Sequence, residues 1–449
     1  DKKLYKIIKK VYNKIICLLL KKIKMRIKYF VITAVLATTI LGFGGFAKVQ
    51  ATTQSCNNNN VCDNLETKQS CPSDCKIFRW GVGEGIATNN FNYGWNIEEQ
   101  AQKISELNPE ISRFWIDFPV CFNPSVSYTV IDPAKCAPYL KAAQDLSSKG
   151  IELVGMNQWF HNSNLTNVNV FNSVPKRDLS SNSVYLKFLD QFEAQWKATA
   201  IYFKGTIDYW EPGNEWNWDP WLVPMDYPNS TFTISEKAAI SADLIFRANR
   251  GIKQGNPQSF VFFPGIADVV GSNASVNEYI TDLYSDIKSG AFGNGDTNPA
   301  DYFDGIALHP TIFNTDFQAF TDKVNATYNV IKSNDGRSSV PIFFSELAMA
   351  SNINEKLPTY DDDHANSMLN YFERSKDFPW LWGISWLRGL NTTYNSLGDR
   401  LWGLMEAPDE SQAYQWKQAA FNFESLANID LIPDKTAISM RLPALSIFL

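Results

Sequence analysis

Two glutamates carry the strongest chemical signal in this 449-residue chain. Glu215 follows the run Tyr209-Trp210-Glu211-Pro212-Gly213-Asn214, and Glu346 follows Ile342-Phe343-Phe344-Ser345. A carboxylate set directly after an apolar run is costly if merely buried, so it calls for a reason. Taken alone, either one has the cap of a following helix as its lesser alternative. Two of them at one barrel mouth are harder to dismiss. Carboxyls about 5 Å apart cannot both ionise freely, so one keeps its proton near neutral pH. Such a pair can protonate a leaving oxygen with one member and attack carbon with the other.

Other residues gather around this pair in the sequence pattern. Arg113 lies in Ser112-Arg113-Phe114-Trp115, and an arginine in a core strand needs a buried partner, for which Glu346 is the natural candidate. His309, in Ala307-Leu308-His309-Pro310-Thr311, reads either as a satisfied core histidine or as a site residue. Trp386 ends Ile384-Ser385-Trp386, and Asn157, Trp159 and His161 follow an earlier apolar run. Trp216, Trp218 and Trp221 crowd the segment after Glu215, as stacking platforms or as that loop's own small core.

The elements that must position these residues alternate in a regular way. Short apolar runs separated by amphipathic stretches predict repeated βα units around a parallel sheet. Eight strands are expected: 78–82, 111–116, 152–156, 207–211, 260–264, 305–309, 342–346 and 383–387. A helix opening at Asn96 stops at Asn108-Pro109, and another carries Tyr185, Phe188, Leu189, Phe192 and Trp196 at helical spacing. A third opens on a capping box, Thr233 to Glu236, and closes at Gly255-Asn256-Pro257. The expected fold is therefore α/β, a (β/α)8 TIM barrel over residues 78–427 preceded by a short Cys-rich segment. In such a barrel, polar groups at the C-terminal strand ends line the active site.

Asn-Glu closing strand four and Glu closing strand seven resemble the large superfamily of retaining glycosidases often called clan A. The resemblance covers most of residues 78–425, and no family within the superfamily is assigned. It implies that Glu215 is the acid/base and Glu346 the nucleophile. By the same resemblance Asn214 hydrogen-bonds the sugar 2-OH, and Arg113 holds the nucleophile ionised. Trp386 would form a floor for the sugar; Asn157, Trp159 and His161 are expected to line more distant subsites by their position after strand three alone. Relatives often carry His-Pro-Tyr or His-x-Tyr at the position of His309. This chain has Thr311 instead, which leaves the nucleophile contact of that Tyr unassigned.

Composition narrows the partners. Apolar residues make up 45% and charged residues 20%, a globular balance. Aromatics reach 14%, a surplus that suits stacking on sugar rings. Residues 1–51 hold 12 of the 41 Lys and Arg, and removing them leaves 29 basic against 46 acidic side chains, a formal net charge of −17. That balance disfavours nucleic acid or anionic lipid as partner and suits an uncharged carbohydrate. No metal-ligand spacing stands out among only three His, so no metal or cofactor is expected. The stretch Gly81-Val82-Gly83-Glu84-Gly85 lacks the remaining glycine of a dinucleotide site, and no serine nucleophile elbow occurs.

The N-terminus reads as an export signal. Lys24, Arg26 and Lys28 precede the apolar stretch 29–47, and Val49-Gln50-Ala51 offers small residues for cleavage, with an uncleaved membrane anchor as the alternative. Residues 1–24 are Lys- and Ile-rich and stand ahead of Met25, as translated upstream sequence would. Six of seven Cys form an even set, and the simplest partition pairs Cys121 with Cys136 and leaves Cys56, Cys62, Cys71 and Cys75 among themselves. The polar segment 52–77 is expected to be a structural cap or linker, with a calcium role for Asp63, Glu66 and Asp74 as the lesser alternative. Residues 428–449 read as strand-like, the start of an accessory domain. The function expected is a secreted hydrolase of β-linked polysaccharides or oligosaccharides. The alternatives are a transglycosylase, a carbohydrate-binding barrel without catalysis, and a barrel enzyme of unrelated chemistry.

Overall fold

The computed structural model describes residues 79–86, 97–123, 127–157, 160, 165, 172–219, 221–267, 273–290, 295–312, 317–349, 368–386, 388–390, 403–406 and 415–416. The export signal over 25–51, the Cys-rich segment 52–77, the tail 428–449, Trp159 and His161 lie outside them.

Eight parallel strands close on themselves: β1 (Arg79–Ile86), β2 (Ile111–Trp115), β3 (Glu152–Met156), β4 (Tyr209–Glu211), β5 (Phe260–Ile266), β6 (Gly305–Leu308), β7 (Ile342–Met349) and β8 (Leu381–Trp386). Each pairs with its sequence neighbours, and β8 completes the ring by pairing with both β7 and β1. The protein is a (β/α)8 barrel. Its helices include α1 (Ile97–Glu106), α2 (Pro133–Ser148), α3 (Val184–Tyr202), α4 (Ile234–Gly255), α5 (Asn273–Ser289) and α6 (Phe317–Asp335). All five apolar residues expected on the inner face of α3 are buried, and both halves of the α4 capping box are formed.

Strand alternation decides which side chains enter the barrel. Ile111, Val154, Phe262, Ala307 and Phe343 form one buried cluster inside it, with Tyr209, Phe260 and Trp382 packed against them. Below Tyr209 and Trp382, Arg79 pairs with Glu152 and lies 4.3 Å from the Trp382 ring centroid. This end is filled and holds the ring together. Moving two residues on from Ile111, Tyr209 and Ala307 brings Arg113, Glu211 and His309 to the same inward face at the other end.

Strand β7 is longer than the sequence pattern suggests. It does not end at Glu346 but runs to Met349, where Ala348 and Met349 pair with Thr311 and Ile312. Its register against β8 shifts between Phe344 and Leu347. A bulge of this kind breaks the alternation and re-aims side chains. It explains how consecutive residues Ser345 and Glu346 both reach the barrel mouth. Strand β4, conversely, begins at Tyr209, because the Ile207 N–H still closes the end of α3 on the Phe203 carbonyl.

Two devices brace the loops above the mouth. Ser173–Val174 and Val223–Pro224 form a short parallel ladder that ties the loop after β3 to the loop after β4. The Cys121–Cys136 disulfide is formed as expected, joining the short helix Phe118–Cys121 to α2. Among the described residues no helix is long and apolar enough to cross a membrane.

Candidate active site

Arg113 organises the mouth. Its guanidinium is 1% exposed, and Nε and Nη2 donate to the two oxygens of Glu211 at 2.8 and 2.9 Å. Nη2 also donates to Asn214 Oδ1 at 2.6 Å, and Nη1 donates to Glu346. The planar fork suits this work, since it meets one carboxylate bidentately and still has donors for two further acceptors. Because arginine only donates, the Asn214 atom facing it must be the carbonyl oxygen. The amide nitrogen is thereby left to donate elsewhere.

Glu211, like Ser345, is a site residue that sequence reasoning missed. It is fully buried and, besides Arg113, accepts from the Gly265 N–H at 2.8 Å and from the Ser345 hydroxyl at 3.2 Å. A signal for it existed. Tyr209 and Glu211 share a face under strand alternation, and a buried Arg113 facing two carboxylates is better balanced than one facing Glu346 alone.

His309 is 1% exposed, and it is both a core residue and part of the site. Nδ1 lies 2.8 Å from Glu215 Oε1 and 3.5 Å from Glu346 Oε2, while Nε2 lies 2.9 Å from Ser345 Oγ. The Ser345 proton goes to the salt-bridged Glu211, so Ser345 accepts from Nε2–H. In a neutral imidazole Nδ1 is then the acceptor, and Glu215 is the donor. With His309 neutral, the chain Glu211–Ser345–His309–Glu215 directs the shared proton onto Glu215.

Glu215 itself has a φ of 48°, the left-handed region that costs an ordinary residue roughly 1–2 kcal/mol. Its N–H donates to the Gly265 carbonyl at 2.9 Å, which holds the turn in place. Glu215 and Glu346 are 13% and 11% exposed at the side chain, enough to meet a ligand. One ligand atom each from Glu215, His309 and Glu346 lie within 4.8 Å of one another. A cation bridging them would compete with Arg113, which already donates to Glu346.

The aromatic residues separate. Trp216 is buried between Phe160 and Phe263, at centroid distances of 6.3 and 6.0 Å, so it belongs to the loop's own core. Trp218 is exposed and Trp221 half-buried. Trp386 ends β8 fully buried beside Phe372, and Asn157 is buried after β3. Thr311 lies on the short strand that pairs with the end of β7.

Asp117, two residues beyond β2, is 1% exposed, and burial pushes its carboxyl up to about 6 against the opposing pull of the Val120 N–H. Burial, reinforced by the Asp117 charge, also raises the Tyr139 phenol.

No protein-family model matches the sequence, and no curated protein is similar to it. Solved structures are similar in fold. The chain aligns with xylanase 10B from Thermotoga maritima at 15% identity and a TM-score of 0.51, covering 79% of this chain and 96% of that one. A GH5_18 enzyme from Streptomyces cattleya, solved with GlcNAc, aligns at 13% identity and a TM-score of 0.56, covering 80% and 81%. The GH1 β-glucosidase from Exiguobacterium antarcticum B7 aligns at 13% identity and 0.55, covering 78% and 97%. The chain has the barrel fold of these glycoside hydrolases, with no single family assigned.

Proposed function

We propose that the protein is a retaining glycoside hydrolase acting on β-linked polysaccharides or oligosaccharides. The observation that carries this reading is the approach of Glu215 and Glu346, of which one oxygen each lies within 4.8 Å of the other. Retaining enzymes need their two carboxyls about 5–5.5 Å apart, whereas inverting ones leave room for a water at about 6.5–9.5 Å.

Glu215 is the acid/base. Its proton passes to the glycosidic oxygen as the bond to the anomeric carbon breaks. Glu346 is the nucleophile, and its carboxylate closes on that carbon to form a glycosyl ester. Water then attacks the anomeric carbon, giving its proton to Glu215 as the bond to the Glu346 oxygen breaks, which releases the sugar and restores both carboxyls. Arg113 stabilises the anionic form of Glu346, and Asn214, oriented by Arg113, donates its N–H to the sugar 2-OH. Trp386 and Trp159 are proposed as walls of the sugar subsites.

The acidic balance of residues 52–449 and the aromatic content support an uncharged carbohydrate partner. The basic-then-apolar stretch 24–51 supports export from the cytoplasm, either secreted or held by that stretch as an anchor. The test is reducing-sugar release by the purified protein from β-glucans, mannans, xylans and galactans, with Glu215→Ala and Glu346→Ala alongside. Release from one polymer that both substitutions abolish supports the reading. Silence across the panel from folded protein contradicts it.

A further inference from the structure

Several residues of the loop after β4 are pinned. Trp216 is sunk between Phe160 and Phe263. The Asn217 amide is clamped to Ala267, donating to its carbonyl at 3.1 Å and accepting from its N–H at 2.9 Å. Asp219 pairs at 2.9 Å with Lys237, itself 7% exposed at the side chain. Val223 is bonded to Asn172 and enters the ladder with Ser173. Between these anchors stands Trp218, which is 55% exposed.

Solvent-facing indole on a mobile loop would be unremarkable. Here the backbone on both sides is fixed, so little ordering entropy is lost when a ligand settles on the ring. The position is also directional. The Trp218 N–H donates to the Glu215 carbonyl at 2.9 Å, closing a turn that brings the two Cα atoms within about 7 Å. A general acid must face the bond between the sugar being transferred and its leaving group. A platform for the leaving group would therefore sit near this acid, and Trp218 stands one turn beyond it.

We infer that Trp218 is a stacking platform for the first sugar ring on the leaving-group side, and that the enzyme selects oligomeric substrates through it. A pyranose with an axial-hydrogen face supplies the apolar surface that an indole accepts. This inference rests on the glycosidase reading above.

The experiment compares two substrates of the same sugar in wild type, Trp218→Ala and Trp218→Phe. One is a β-linked oligosaccharide of the polymer the enzyme cleaves, and the other is the β-glycosyl fluoride, whose leaving group has no ring to stack. Trp218→Ala is expected to lower kcat/KM on the oligosaccharide by about tenfold or more, chiefly through KM, and on the fluoride by less than about threefold. Trp218→Phe should recover most of the difference. Equal losses on both substrates, or no loss on the oligosaccharide, would overturn the platform while leaving the glycosidase reading intact. A wild-type protein inert on both substrates would overturn that reading and the platform with it.

Discussion

The Nε2 atom of His309 lies 1.9 Å from the point where a β-carbon on Gly265 would stand. The imidazole therefore fills the side-chain space of residue 265, and the Gly265 backbone bonds Glu211 through its N–H and Glu215 through its carbonyl. One glycine thus sets the position of three site residues. Gly265→Ala is expected to displace His309 and to cost about 1–3 kcal/mol of stability, with at least a hundredfold loss of kcat. Hydrolysis rates and urea unfolding of the variant check this, and near-normal activity would count against the packing described.

Arg113 and Glu211 form a pair with almost no exposure on either side. Removing one partner of such a pair leaves an uncompensated buried charge, at about 3–5 kcal/mol. Glu211→Ala should lose that much stability by urea unfolding. Arg113→Lys should not rescue the site, since an ammonium cannot reproduce the two-oxygen contact to Glu211 together with Asn214 and Glu346. A fully active Arg113→Lys protein would contradict the role given to the guanidinium.

The barrel, and the two glutamates it brings together at its mouth, were legible in the sequence because parallel strands buried on both faces leave apolar runs, and polar residues at their ends stand out. All eight strands lie where the alternation placed them, with ends moved by a few residues. Glu211 was hidden because it follows Trp210 inside the same strand and looks like part of the Asn214-Glu215 motif. Ser345 was hidden by the bulge, since regular alternation cannot place both it and Glu346 inside. The fates of Trp216 and Trp218 depend on contacts with Phe160, Phe263 and Ala267, which are distant in sequence and leave no local pattern.

The hydrogen-bond chain through Ser345 makes a pH prediction. With Ser345 removed, His309 is free to take the other tautomer and donate from Nδ1 to Glu215, which favours the Glu215 anion. Ser345→Ala should therefore move the alkaline limb of the kcat/KM profile to lower pH. An unmoved or raised limb would show that the chain does not hold the proton on Glu215.

Asp117 links pH to stability. Its carboxyl is raised to about 6 in the fold, above the ordinary 3.8, so its contribution is full below about 4 and is lost as pH rises through about 6. The loss amounts to roughly 3 kcal/mol. Asp117→Asn, which cannot ionise, should gain stability over the wild type at pH 7 relative to pH 4 by about that amount. Urea unfolding of both proteins at the two pH values measures the difference, and an equal offset at both would refute it.

The stereochemistry of the first-formed product tests the double-displacement reading most directly. Proton NMR of the reaction mixture, recorded before mutarotation, reports the anomer released from a β-linked substrate. With Glu215 and Glu346 acting as acid/base and nucleophile, the β-anomer should appear first and the α-anomer only by slow equilibration. Initial release of the α-anomer would mean a single displacement by water, and would contradict the assignment of Glu346 as nucleophile.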